Sequence, residues 1–393
     1  MGNSWKKTLY IVWFVQILSL MSFSFGLPFL PYYIQDLGVT DPEKLRLFTG
    51  ILSAAPAIGM GIMAPVWGMV ADRFGKRPML LRAMLSASVI LTGIGLVNSV
   101  TGVLIFRCLQ GFLTGTVTAA AALVAAETPQ KNMASALGFI TSSTFIGRTL
   151  GPAVGGILAE QLGYKPSFYL GGVIMLIAFF LVLFFVKETK KPVEKGGLKG
   201  FKNIFSIMTV PVVMILLMIF FRRIGSSVAS PYMPLYVQEI RGTIEGSALV
   251  TGLISAGASM TAAIAAIVLA RLGDKYDKKR LILIYFIAGI LISFMLILSN
   301  SLALFAVFYA LMFFALGGID PLVMSYTVEL VPENKRGLLF GVRGTIGSLA
   351  WAVSPMLGSA VSINFSLHSV FYLMPVFLSA ALGMAILVKK KTQ

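Results

Sequence analysis

Pro28-Phe29-Leu30-Pro31-Tyr32-Tyr33-Ile34-Gln35-Asp36-Leu37 is met again past the midpoint of the chain as Pro231-Tyr232-Met233-Pro234-Leu235-Tyr236-Val237-Gln238-Glu239-Ile240. Both prolines, the second tyrosine, the glutamine and the acid recur at one constant offset, which chance seldom produces in a chain of this composition. The chain is a duplicated object. In a membrane, two parallel repeats around a midplane cavity are the architecture of a carrier that opens alternately to either side.

Composition places the chain in a membrane before any other motif is read. Of its 393 residues 57% are hydrophobic and 12% charged, and mean hydropathy is +0.89. Apolar runs long enough to cross a bilayer follow one another to the C-terminus. Breaks at charge clusters and at Gly, Pro and Asn turns predict twelve spans, the first over 8–34 and the last over 367–388.

The formal charge of +17 raises the question of an acidic partner, and its placement answers it. With both termini inside, the inner segments hold most of the 32 Lys and Arg, from Lys6 and Lys7 to Lys389, Lys390 and Lys391. The outer loops hold Lys44, Arg46, Lys165 and Arg241. Such asymmetry follows the positive-inside rule and sets both termini in the cytoplasm. The basic charge is topological, so no nucleic-acid partner is expected.

Other classes lack their residues. Cys108 and His368 are the single members of their kinds, so neither a disulfide framework nor a metal site is expected. No glycine loop followed by Lys-Ser/Thr is present to cradle a nucleotide, no cofactor is implied, and no nucleophile-base set points to an enzyme. The N-terminal apolar run outlasts a cleavable signal and reads as a retained span. A lysine-rich interval over 187–206 reads as a cytoplasmic linker with affinity for anionic lipid headgroups. It separates an N-terminal six-helix bundle, 1–186, from a C-terminal one, 207–393.

Three motifs carry mechanism. Gly68-Met69-Val70-Ala71-Asp72-Arg73-Phe74-Gly75-Lys76-Arg77-Pro78 joins spans two and three, with a worn copy over Asp274–Lys279. Gly68 permits close helix approach, Asp72 accepts donors at a helix end, and Gly75 allows a tight turn. Gly147, Gly151 and Gly155 recur every fourth residue in span five, with Pro152 and Gly156 beside them, making one bare helix face interrupted by a proline. Arg107-Cys108-Leu109-Gln110-Gly111 puts a cation in span four, where a charge costs about 2.5–3.5 kcal/mol to insert.

In these stretches the chain resembles the major facilitator superfamily, and its twelve-span drug:proton antiporter branch in particular. The resemblance implies an all-α membrane protein of twelve transmembrane helices in two pseudo-symmetric six-helix bundles. It implies that the Gly68–Arg77 loop latches the cytoplasmic side with Glu127 as partner, Glu329 being the equivalent acid in the second half. It further implies that the span-five pattern marks an antiporter and that Arg107 takes part in proton coupling.

Among the deep ionisable residues Arg148, Arg222, Arg223 and Asp320, Asp320 is the one acid near a midplane, about 15 Å from the inner end of span ten at helical rise. It is the first candidate for proton carrier, alternating between a wet and an arginine-paired setting, with Arg222 or Arg223 as partner. A fixed structural pair is the alternative. Pro321 removes a bond to the Gly317 carbonyl and would let that helix flex. Phe25, Phe29, Tyr32, Tyr232, Tyr236, Phe313 and Met324, with Arg148, are candidates to line a substrate cavity. A cavity richer in arginine than in carboxylate favours anionic, zwitterionic or neutral cargo.

The expected function is proton-coupled export of small amphipathic compounds, as in multidrug efflux, by a monomer in the cell membrane of a bacterium. Export or flipping of a specific metabolite, siderophore or lipid-linked molecule is the alternative, ahead of proton-coupled uptake.

Overall fold

The computed structural model describes residues 4–188, 208–330 and 336–388. These form helices α1 (Ser4–Ser24), α2 (Leu30–Asp36), α3 (Pro42–Phe74), α4 (Lys76–Leu96), α5 (Val100–Leu113), α6 (Thr116–Glu127), α7 (Met133–Leu162) and α8 (Tyr164–Phe185). The second half contributes α9 (Val210–Ser227), α10 (Met233–Arg241), α11 (Ser247–Arg271), α12 (Lys278–Ile297), α13 (Leu302–Gly317), α14 (Ile319–Leu330), α15 (Arg336–Asn364) and α16 (Leu373–Leu387). Among the described residues there is no strand.

Among the described residues, eleven segments are long and apolar enough to cross a bilayer. The expected fifth span is α7, 30 residues long. With it the helices fill all twelve expected spans. Apart from Lys187 and Glu188, the expected linker lies outside the described residues, as does the Glu329 side chain.

Four of the spans are broken, and the breaks come in pairs 203 residues apart. Pro28 and Pro31 interrupt span one between α1 and α2, and Pro231 and Pro234 interrupt span seven between α9 and α10. Proline lacks the amide a helix interior needs, so the chain restarts with proline in the first turn. Span four breaks at Gly115, whose φ of +125° places it where side chains rarely go, and span ten breaks at its counterpart Gly318. By contrast α7 and α15 run through Pro152 and Pro355, again 203 apart.

Contacts group the chain into two units. One comprises Met1–Thr40, Ala55–Gly197 and Ile244–Ala256; the other comprises Asp41–Ala54, Leu198–Thr243 and Gly257–Gln393. The first portion of α3 thus packs with the second unit and the first portion of α11 with the first.

Bare glycine faces make that exchange close. Within the first unit, a Cβ on Gly252 of α11 would fall 2.3 Å from the Pro152 carbonyl oxygen, and one on Gly156 of α7 would fall 2.8 Å from that of Ala248. Within the second, a Cβ on Gly50 of α3 would meet the Tyr232 hydroxyl at 2.8 Å and the Pro355 carbonyl at 3.1 Å. Helices this close touch backbone to backbone, which only small residues allow.

Candidate functional site

In the second unit Asp320 sits in the first turn of α14, directly after the Gly318 break. Its carboxylate accepts from Arg222 Nη2 of α9 at 2.6 Å and from Arg343 Nη2 of α15 at 3.2 Å. The other Arg343 Nη donates to Met324 Sδ one turn along α14. One carboxylate therefore ties three helices. Arg222 is the partner expected from the sequence, whereas Arg223 lies along α15, where a Cβ on Gly347 would fall 3.3 Å from its Nη1.

Pro321 corrects an expectation. It occupies the first turn of a new helix, where no backbone bond is made, so the flexibility assigned to it belongs to the glycine break before it. The break also explains why an acid is tolerated at this depth. A helix N-terminus carries partial positive charge, which adds to the arginines in holding a carboxylate.

In the first unit Arg107 is buried and donates to Gln110 Oε1, one turn on in α5, at 2.5 Å. The end of α5 is closed by residues that sequence reading missed. Trp67 Nε1 of α3 donates to the Phe112 carbonyl at 2.7 Å, and Arg82 Nη1 of α4 donates to that of Leu113 at 2.9 Å. The Arg82 guanidinium also stacks 3.4 Å from the Trp67 ring centroid. Cations and donors at a helix C-terminus satisfy its orphan carbonyls. Lone Arg and Trp in apolar helices give no sign of which distant carbonyl they meet.

The cytoplasmic loop is organised by another residue without a sequence signal. Glu188, just past α8, accepts from the backbone amides of Lys76 and Arg77 at 2.9 Å each, capping α4 with a carboxylate. Gly75 has φ of +101°, and a Cβ there would fall 2.7 Å from Glu188 Oε2, so two independent constraints require glycine. Arg77 Nη2 donates to the Leu183 carbonyl at 2.6 Å, and Lys76 pairs with Asp72 at 3.5 Å. Arg73 lies over the Phe74 ring, Gly68 has open space around it, and Glu127 is buried at the end of α6. Replacing Glu188 by Ala is expected to remove about 1–2 kcal/mol of cap and dipole stabilisation, read as a lower melting temperature of the purified protein, with Gln in between.

The glycines of span five pack on span one. Cβ atoms on Gly147, Gly151 and Gly155 would fall 2.7 Å from Leu20 Cβ, 2.5 Å from Ser24 Cβ and 2.6 Å from the Ser24 carbonyl. This is the bare face read from their spacing.

Five of the proposed cavity residues, Phe25, Phe29, Tyr32, Tyr232 and Tyr236, are buried side chains with partners inside the protein. Tyr32 shares a hydrogen bond with Thr251 at 3.0 Å, Tyr232 donates to the Pro355 carbonyl at 2.7 Å, and Tyr236 packs on Phe305 and Phe371. Aromatics beside proline breaks fill the gap that the bend opens, which periodicity cannot distinguish from lining a cavity. Phe313 and Met324 are half-buried and Arg148 is exposed.

Repeated halves with broken helices, and an ion pair at membrane depth, define a solute carrier of the membrane. A model of the Major Facilitator Superfamily matches residues 12–243 and again 215–393. The chain belongs to the Major Facilitator Superfamily. It is 32% identical to multidrug resistance protein MdtG of Proteus mirabilis, over 94% of this chain and 93% of that one. It is 30% identical to a multi-drug resistance efflux pump PmrA homolog of Lactococcus lactis, over 91% and 89%. The crystal structure of nucleoside transporter NupG shares the fold, with a TM-score of 0.82 at 10% identity over 98% of this chain and all of that one.

Proposed function

We propose that the chain exports small amphipathic compounds in exchange for protons, as a multidrug efflux carrier of the bacterial cell membrane. The observation that carries this reading is the Asp320 ion pair, one carboxylate holding α9, α14 and α15 at a helix break. Protonating Asp320 removes the charge that keeps Arg222 and Arg343 in place. Three helices then lose a common tie, and a proton becomes a packing change. An entering proton brings roughly 2.3 kcal/mol per 100 mV of membrane potential to drive the return.

The efflux names of relatives that match nearly end to end support the direction, and the glycine-proline face of α7 agrees with it. In this reading the chain works as a monomer of two six-helix bundles, 1–186 and 207–393, with both termini cytoplasmic. The Gly68–Arg77 loop latches the inner side, and Arg107 assists coupling.

The deciding experiment uses proteoliposomes loaded with a fluorescent amphipathic dye. An imposed inward proton gradient is expected to empty vesicles whose proteins face the right way. Accumulation driven by that gradient would indicate uptake instead, and indifference to it would remove proton coupling.

A further inference from the structure

The repeat allows one half to be compared with the other position by position. The 203-residue offset takes the Gly115 break to Gly318, Val117 to Asp320 and Ser19 to Arg222. Where the second unit holds the Arg222–Asp320 pair, the first has a neutral contact, Ser19 Oγ donating to Thr116 Oγ1 at 2.9 Å. The first unit keeps the broken-helix frame without its carboxylate.

It does keep an arginine at that depth. A Cβ on Gly147 would fall 2.7 Å from Leu20 Cβ and 3.1 Å from the Ile17 carbonyl, so α7 abuts the same turn of α1 from which Ser19 reaches Thr116. Arg148 follows Gly147 and is therefore level with the first turn of α6. Its side chain is exposed, and among the described residues no carboxylate lies within ion-pair distance of it. A cation midway along a membrane span without a protein counter-ion marks a place where a ligand supplies the charge.

The surroundings select the sign of that ligand. Gly115, preceding α6, offers no side-chain cap, so the first-turn amides of α6 remain donors at the positive end of a helix. The carbonyls on the other side of the break are already taken by Trp67 and Arg82. In the contacting turn of α1, Gln16 is fully buried with both amide atoms lacking a partner, an unspent donor close by. Arg148, the first-turn amides of α6 and Gln16 Nε2 are available donors, against a single unspent acceptor, Gln16 Oε1.

We propose that Arg148 and the first turn of α6 bind an acidic group of the cargo, such as a carboxylate, so that cargo supplies in the first unit the negative charge that Asp320 supplies in the second. This rests on the export reading and deepens it, since it gives the amphipathic cargo one anionic group. The proton is taken up by Asp320, beside Arg222 and Arg343, and the anion is bound by Arg148.

The test measures binding of 4-phenylbutyrate, its neutral amide and 4-phenylbutylamine to the purified full chain. The carboxylate is expected to bind about tenfold or more tightly than either analogue, and Arg148→Gln to erase that preference. Arg148→Lys should retain part of the preference, and Asp320→Asn all of it. Equal binding of the three probes, or an undiminished carboxylate preference in Arg148→Gln, would overturn the proposal. Because the Asp320 variant tests coupling alone, proton-driven dye export with no carboxylate preference would refute this inference and leave the export reading standing.

Discussion

Asp320→Asn is expected to reduce proton-driven export to the level of empty vesicles while the protein still folds and binds cargo. Asn preserves size and one acceptor, so the helices keep a contact, but it takes up no proton and the arginines lose their counter-charge. Breaking the pair is expected to cost about 1–3 kcal/mol of stability, less than for a fully buried pair because the Asp320 side chain is 45% exposed. Adding Arg222→Gln removes one uncompensated charge and is expected to recover part of the melting temperature and none of the export. If the double variant regains coupled transport, Asp320 is a structural staple and the carrier lies elsewhere.

The second large effect is steric. Gly252→Ala places a methyl group 2.3 Å from the Pro152 carbonyl oxygen, a backbone atom that moves only if a helix moves. Overpacking of this kind costs about 1–3 kcal/mol, and export should fall with it, since α7 and α11 can no longer close upon one another. Gly257, on the same helix, has nothing within 4 Å of a built Cβ, so Gly257→Ala is the matched control and should behave as the parent. Melting curves of the two variants decide the point: coincident curves would show that the close approach contributes nothing.

Much of the first-order architecture was legible because it depends on residues near one another in the chain. Hydrophobic run lengths predict spans, and a proline repeat predicts duplication. Gly147, Gly151 and Gly155 announce a bare face at helical period, and the structure packs it on α1. The lone acid of span ten was found by depth alone, and an arginine of span seven at comparable depth as its partner. Its second arginine, Arg343, lies 23 residues and a change of helix away from Asp320, which no local pattern pairs.

The failures have the same physical origin. Glu188 caps α4 from 112 residues away, and Trp67 and Arg82 close α5 from a distance of 45 and 31 residues. Nothing at those positions differs from an ordinary charge or aromatic at a membrane boundary. Tyr32 and Tyr232 looked like cavity walls because aromatic spacing records which face a residue occupies, and that face turned out to lie against Thr251 in one case and Pro355 in the other.

By itself the sequence determined that this is a membrane-spanning, duplicated, helical protein, because hydropathy and backbone-breaking residues act locally and a repeat is visible without coordinates. Tertiary structure alone decided which arginines hold Asp320, that Glu188 and Arg82 cap helix ends, and that among the described residues no carboxylate pairs with Arg148. Pairing energies depend on distance through space, and a chain that crosses the bilayer repeatedly brings together residues whose separation along it carries no information about that distance.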